Sequence, residues 1–354
     1  MRYSKLISVL KPYTAGEQPK DKKYIKLNTN ENAYPPSPAV KEAIGAVDYA
    51  ELRLYPDPEA TELCGALAQK HGVLSENIFT GNGSDEVLGF CFPAFFDRKE
   101  IGGVPVLFAD VTYSFYPVYA NLYQIPYEVV PLKEDYTVDI EDYAAKKNQG
   151  ILLCNPNAPT GIAVPTEGIE RLVKADRERL VLVDEAYADF GGVSAVPLTK
   201  KYDNLLVVRT FSKGASLAGI RCGYAVGAAG LIRALQTVKN SFNSYTLDKL
   251  TQKIAIAACK DTAYYDMINE RISNIRDKAS ETLRKKGFTV LPSSSNFIFL
   301  KKDGIGGKEL FLGLRERGVL VRYFAGARTG DFIRVTIGTE DETEIFIRTL
   351  CNLT

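Results

Sequence analysis

The 354-residue sequence contains a single histidine, His71. One imidazole and no closely spaced cysteine pair leave nothing from which to build a zinc centre, and no metal is expected. A Ser-His-Asp hydrolase would have only His71 as its base. That residue ends a helical pattern, ELCGALAQKHG, with Gly72 directly behind it, so a helix-terminal role accounts for it. The six cysteines (Cys64, Cys91, Cys154, Cys222, Cys259 and Cys351) are expected to be free thiols in a reducing compartment. Charge is in balance, with 44 Lys+Arg against 43 Asp+Glu, so no basic surplus exists to grip nucleic acid. There is no block of like charge, no internal repeat and no low-complexity tract. No apolar run approaches the ~20 residues that span a bilayer. The opening MRYSKLISVLKPYTAGE has too short an apolar stretch for a secretory signal. A cytoplasmic protein with neither nucleic-acid nor membrane partners is expected.

Apolar residues make up 45% of the chain, enough for a sizeable core. The length favours one large domain with a smaller one. Short apolar runs alternate with helical patterns in the middle of the chain. Strands are expected at 77–80, 104–108, 127–131, 151–155, 180–184, 205–210 and 222–227. Several are near-continuous Val, Leu and Ile, as in strands buried on both faces of a mostly parallel sheet. Residues 262–286 place Tyr265, Ile268, Ile272, Ile275, Ala279 and Leu283 on one helical face, ending at Gly287. Beyond lie a strand (296–300), a helix (308–317), strands at 319–323 and 332–337, and a last helix with the capping box Thr339/Glu342. The expected class is α/β: a large domain with a mostly parallel mixed sheet and a smaller α+β domain. The expected division is an arm at 1–40 packing with the small domain, a large domain at 41–260 and a small domain at 261–354. The arm is expected to be irregular to Pro36, with Ser37-Pro38 starting a helix.

In such sheets, function gathers at the carboxyl ends of the strands. Four ends carry unusual residues. The first runs into Gly81-Asn82-Gly83-Ser84-Asp85-Glu86, glycines leading into a helix whose free N–H groups suit a phosphate. By itself this could be an ordinary capped helix start. The second runs into Pro156-Asn157-Ala158-Pro159-Thr160-Gly161, which alone says only that the chain turns. The third ends Leu-Val-Leu-Val-Asp184-Glu185-Ala186-Tyr187, a carboxylate that needs a partner if buried. The fourth is TFSKGASLAGIRCGY at 210–224, bringing Thr210, Ser212, Lys213 and Arg221 together. A phosphate cradle, a buried carboxylate, a tyrosine and a lysine are what pyridoxal 5′-phosphate requires. The lysine bonds its aldehyde, the carboxylate keeps the pyridine nitrogen protonated, and the cradle anchors the phosphate.

These stretches carry a resemblance to a known family. LNTNENAYPPSP at 27–38, LYPDP at 54–58, GNGSDE, TYSFYPVYA at 112–120, NPNAPTG, VDEAY, the lysine stretch and FIRVTIGT at 332–339 follow one another in order. Together they resemble the fold-type I pyridoxal-phosphate aminotransferases, most nearly the histidinol-phosphate aminotransferases, over almost the whole chain. The resemblance implies that Lys213 forms the Schiff base and shuttles a proton. It implies that Asp184 pairs with the pyridinium nitrogen, Tyr187 bonds the ring hydroxyl and Tyr113 stacks on the ring. Ser84 and Asp85 backbone N–H groups, with Thr210, Ser212 and Arg221, would hold the phosphate. Tyr55 would reach the phosphate in a neighbouring subunit, implying a homodimer with shared active sites. Arg334 would take the substrate's phosphate in one half-reaction and glutamate's carboxylate in the other. Arg322, Tyr13 and Asn30 match substrate-side positions.

One position departs from the pattern. The family has asparagine directly before Pro-Thr-Gly, bonding the ring hydroxyl; here it is Ala158, and the neighbouring Asn157 is the candidate to replace it. The implied activity converts L-histidinol phosphate and 2-oxoglutarate to imidazole-acetol phosphate and L-glutamate. Three other readings remain open on the same residues. They are a threonine-phosphate decarboxylase-like lyase, an aromatic amino-acid aminotransferase, and a non-catalytic cofactor-binding regulator, for whose extra helix-turn-helix domain the chain has no room.

Overall fold

The computed structural model describes residues 2–353. A two-residue strand, β1 (Ile25–Lys26), lies in the N-terminal arm. The main sheet comprises β2 (Ile78–Asn82), β3 (Val106–Ala109), β4 (Tyr127–Val130), β5 (Gly150–Cys154), β6 (Leu180–Asp184), β7 (Leu205–Thr210) and β8 (Cys222–Gly227). Their spatial order is β2-β8-β7-β6-β5-β3-β4. Strands β7, β6, β5, β3 and β4 run parallel, while β8 runs antiparallel to both neighbours. The α/β reading therefore holds, with a mostly parallel mixed sheet.

Strands β5 to β8 are buried along their whole lengths. Because side chains alternate across a strand, Leu206 and Val208 enter one core, and Leu205 and Val207 enter the other. Helices cover both faces, which explains the absence of a polar alternation in these strands.

The later strands are β9 (Thr289–Val290), β10 (Phe297–Lys301), β11 (Val319–Leu320), β12 (Arg322–Tyr323) and β13 (Ile333–Thr336). Four of them form an antiparallel sheet in the order β12-β13-β10-β9. The single strand expected at 319–323 is in fact two. Strand β11 pairs in parallel with β1 of the arm, and after Val321 the chain turns into β12 to pair with β13. The arm is thus not wholly irregular.

The long helix spans Thr262–Lys285, and the last helix, Glu340–Cys351, carries the reciprocal Thr339/Glu342 capping box. Pro38 does open a helix, but the expected serine cap is absent. Ser37 makes no side-chain capping bond, and its buried hydroxyl lacks a partner. Its backbone N–H donates to the Tyr265 hydroxyl at 3.2 Å. Gly72 caps the helix Thr61–His71 in the left-handed conformation.

Candidate active site

The ends of β2, β6 and β7 meet at one edge of the sheet because these strands share a direction. Strand β8 runs the other way, so Arg221, one residue before its start, arrives at that same edge. Its guanidinium bonds the Asp85 carboxylate at 2.8 Å, in the first turn of the helix Gly83–Phe95. Two glycines permit this approach. A Cβ on Gly83, which has φ +78°, would sit 2.5 Å from an Arg221 nitrogen; one on Gly223 would sit 2.2 Å from the Ser84 backbone nitrogen. Both lie well inside van der Waals contact. The guanidinium and the helix N-terminus with its free N–H groups form one anion-binding corner.

Asp184 ends β6 and is 2% exposed. It accepts bonds from the Tyr116 hydroxyl (3.0 Å) and the Ala186 N–H (3.2 Å). Burial outweighs both bonds and pushes its pKa up to about 7. Lys213 follows β7, and its Nζ donates to the Thr29 carbonyl of the arm at 3.0 Å. Burial, then the nearby Arg334 charge, lowers its pKa to about 8. Tyr187 is buried and receives a bond from the Asn30 amide at 3.0 Å. Asn30 itself has φ +55° and is 1% exposed. Tyr113 donates to Asp85 at 2.7 Å.

One cavity is lined by Tyr13, Asn30, Ser84, Asp85, Tyr113, Asp184, Tyr187, Thr210, Ser212, Lys213, Arg221, Arg322 and Arg334. The structure therefore gathers thirteen of the candidate residues in one place. Two others lie elsewhere. Asn157 is buried and does not line the cavity, its amide turned to the Val111 carbonyl (2.9 Å) and Thr160 hydroxyl (3.0 Å), and its oxygen to the Thr112 hydroxyl. Tyr55 is 79% exposed and stacks on Tyr245 with centroids 4.6 Å apart. Sequence reading missed Asn28, Thr29 and Cys154, which also line the cavity, and Tyr116, which holds Asp184. Tyr116 stands inside the quoted TYSFYPVYA stretch, but nothing in the stretch says which tyrosine faces the carboxylate.

Because the Tyr116 O–H stabilises the ionised carboxyl, Tyr116→Phe should lift the Asp184 pKa further. We expect a stability loss of about 1–2 kcal/mol at pH 8, shrinking toward pH 5, where Asp184 is already protonated. Urea denaturation at the two pH values checks this; equal losses at both would exclude the proposed linkage.

The match to the family model "Aminotransferase class I and II" covers residues 22–350. A histidinol-phosphate aminotransferase of Brachyspira hyodysenteriae is 48% identical, over 96% of this chain and 94% of the relative. One from Bordetella parapertussis is 48% identical over 98% and 97%. The crystal structure of the Sinorhizobium meliloti histidinol-phosphate aminotransferase, in complex with pyridoxal 5′-phosphate, superimposes with a TM-score of 0.89. It is 25% identical and covers 99% of this chain and 97% of that one.

The residues present fit that cofactor. The glycine-lined corner at Arg221 would be filled by any Cβ and suits a phosphate. The buried Asp184 has no ion-pair partner among the described residues, and a cationic ring nitrogen would supply one. Among the described residues, no cluster of three or more metal-ligating side chains occurs, and no helix is long and apolar enough to cross a membrane. The cofactor is pyridoxal 5′-phosphate, and the chain belongs to the class I and II aminotransferases, within them to the histidinol-phosphate aminotransferases.

Proposed function

We propose that the enzyme passes the amino group of L-histidinol phosphate to 2-oxoglutarate, yielding imidazole-acetol phosphate and L-glutamate, with the residue roles set out below. The observation that carries the substrate reading is a pair of arginines. Arg322 and Arg334 stand directly opposite each other across β12 and β13, and both line the Lys213 cavity. Like charges facing each other across a sheet are destabilising unless an anion lies between them. The Arg334 guanidinium donates through one Nη to the Asn28 carbonyl (3.1 Å) while its Nε is buried without a partner, and Arg322 donates to the Thr14 (2.7 Å) and Ala15 (3.1 Å) carbonyls of the arm. A guanidinium fork accepts a phosphate or a carboxylate equally well. The pair therefore suits a phosphorylated amine and a keto acid in turn.

When bound, pyridoxal 5′-phosphate supplies an aldehyde carbon for the amino group and a ring that delocalises the electron pair released at the substrate Cα. Arg221, Ser212, Thr210 and the Ser84 and Asp85 N–H groups would bind its phosphate. Asp184 would hold a proton at the ring nitrogen, Tyr187 would bond the ring hydroxyl, and Tyr113 would flank the ring. Lys213 would take up and return the proton of the substrate Cα. In the cofactor-free cavity burial, then the Arg334 charge, lowers the Lys213 pKa to about 8, toward the range in which an amine serves as base and acid. Arg334 orients the substrate by its anion, with Arg322 tying the Tyr13 segment of the arm over the same end. In this division of labour the large domain (41–260) carries the cofactor, and the small domain (261–354) with the arm (1–40) carries substrate recognition.

We assign the enzyme to the cytoplasm and to a homodimer in which Tyr55 enters the neighbouring subunit's site. The free thiols support the first. The exposed apolar side chains of Tyr49, Leu52, Leu54, Tyr55 and Phe242 support the second.

The first test mixes the cofactor-loaded protein with L-histidinol phosphate alone and follows the cofactor absorbance. Conversion that 2-oxoglutarate reverses is the expected result. Conversion by phenylalanine or tyrosine but not by L-histidinol phosphate would assign an aromatic aminotransferase. CO2 release from threonine phosphate would assign a lyase. Arg334→Gln should raise the KM for L-histidinol phosphate and glutamate together, by roughly 10²-fold, the loss of a charge-assisted fork to each anion.

A further inference from the structure

We propose that Arg209 is a positioning residue that fixes the Asp184–Tyr187 loop against the Lys213 loop; this rests on the reading of the site given above. Arg209 is the penultimate residue of β7 and is 8% exposed. Thr210, next in the strand, lines the cavity, so the alternation of the strand sends Arg209 to the far side. There its guanidinium forks. One nitrogen meets Glu185 at 3.3 Å, the residue after Asp184; the other meets Asp189 at 2.5 Å, two residues beyond Tyr187.

Each carboxylate then makes a further contact. Glu185 accepts from the Ser194 hydroxyl (2.6 Å) and the Ala195 N–H (2.5 Å), closing the loop on itself. The Asp189 carboxylate packs against Gly214, the residue after Lys213: a Cβ on that glycine would sit 2.3 Å from the Asp189 oxygen. One arginine thus links the loop bearing the ring contacts to the backbone bearing the lysine. The floor of this cluster is also fixed. Tyr224 pairs with Arg209 across β7 and β8, and its hydroxyl lies 2.9 Å from the His71 Nε2. Burial, then the Arg209 charge, lowers the His71 pKa to about 3, so the imidazole adds no second cation. None of Arg209, Glu185 or Asp189 lines the catalytic cavity.

The test separates charge balance from geometry. Arg209→Met strands two carboxylates and should lower Tm sharply. The triple variant Arg209→Met/Glu185→Gln/Asp189→Asn removes the stranded charges and should recover most of that Tm. Its kcat should nevertheless stay roughly 10–100-fold low, the scale of a misplaced reacting group. KM for L-histidinol phosphate should hold within about 3-fold, since an interaction made only in the transition state lowers kcat alone. Its Kd for pyridoxal 5′-phosphate, from absorbance titration, should rise roughly 10-fold, as about 1.4 kcal/mol of lost fit implies. A triple variant with wild-type kcat and cofactor Kd would overturn the proposal and leave Arg209 only a charge-balancing role. If the triple variant does not fold, Arg209→Lys decides. It keeps a charge but cannot fork to both carboxylates, so a wild-type kcat in it overturns the proposal, and a lowered kcat at unchanged Tm supports it. If wild-type protein fails to bind pyridoxal 5′-phosphate through Lys213, the functional reading fails, which is a distinct result.

Discussion

Lys213→Ala is expected to fold, to retain pyridoxal 5′-phosphate only weakly, and to lose amino transfer by roughly 10⁴-fold or more, the upper range for removing a positioned acid–base group that, on the proposed reading, is also the point of covalent attachment. Among the described residues its Nζ donates to the Thr29 carbonyl and lies 5.9 Å from the Tyr187 ring centroid, so the variant gives up one neutral acceptor and a weak ring contact. Against that loss stands the charge itself. The folded pKa near 8 lies below the usual lysine value, so the unfolded chain binds the proton more tightly. Between about pH 8 and 10.5 the unfolded state is the more protonated, and stability rises with pH; below pH 8 the full penalty applies. The cofactor-free variant should therefore be at least as stable as wild type at pH 7, by up to about 2 kcal/mol after allowance for solvent in the open cavity. Single-turnover amino transfer and urea denaturation measure the two effects. Normal turnover in Lys213→Ala would remove Lys213 from the chemistry.

Asp184→Asn should produce the second large effect, with opposite signs for the empty and loaded protein. In the cofactor-free protein the Asp184 carboxyl titrates near 7 because it is buried, against about 4 in the unfolded chain. A raised carboxyl pKa means that the folded state holds the proton more tightly. Its contribution is fully present below about pH 4 and is lost as pH climbs to about 7. Above that, the ionised wild type should be less stable than Asp184→Asn by about 4 kcal/mol. Pyridoxal 5′-phosphate should reverse the order: on the proposed reading its ring cation would pair with the carboxylate, and an asparagine would leave that cation buried without a partner, a loss of roughly 3–5 kcal/mol. Denaturation at pH 5 and pH 8, with and without cofactor, should show the curves crossing. Parallel curves would mean that Asp184 meets neither the empty cavity nor the ring nitrogen as described.

Much of this site was legible in the sequence because its members sit where strands stop. Strands β6, β7 and β8 begin and end where their apolar runs do, so Asp184, Thr210 and Arg221 could be placed at a sheet edge without coordinates. What could not be read is whatever depends on pairing between distant segments. The 319–323 run, Val-Leu-Val-Arg-Tyr, reads as one strand, with β-branched and aromatic residues throughout and no turn residue inside it. It divides because β1 of the arm claims Val319–Leu320 while β13 claims Arg322–Tyr323, and neither partner is local. The facing of Arg322 and Arg334 follows from that register and was equally hidden. Asn157 is the counterexample from a local motif. Its neighbourhood reads as a site loop, yet Val111, Thr112 and Thr160 satisfy its amide first. Ser37 likewise has a capping residue's position without its bond: its hydroxyl is buried with no partner, and nothing in the sequence shows that.

The reversed direction of β8 has a consequence for assembly of the chain. The phosphate corner needs β2 seated beside β8, with Asn82 opposite Cys222. Those residues are far apart in the chain, whereas β6, β7 and β8 follow one another closely. Distant pairings close late, because the entropy of the intervening loop must be overcome before any contact offsets it. The anion-binding corner therefore forms only when the outermost strand has docked. A phosphate that binds only the finished corner, as proposed for the cofactor, would hold β2 in place against β8.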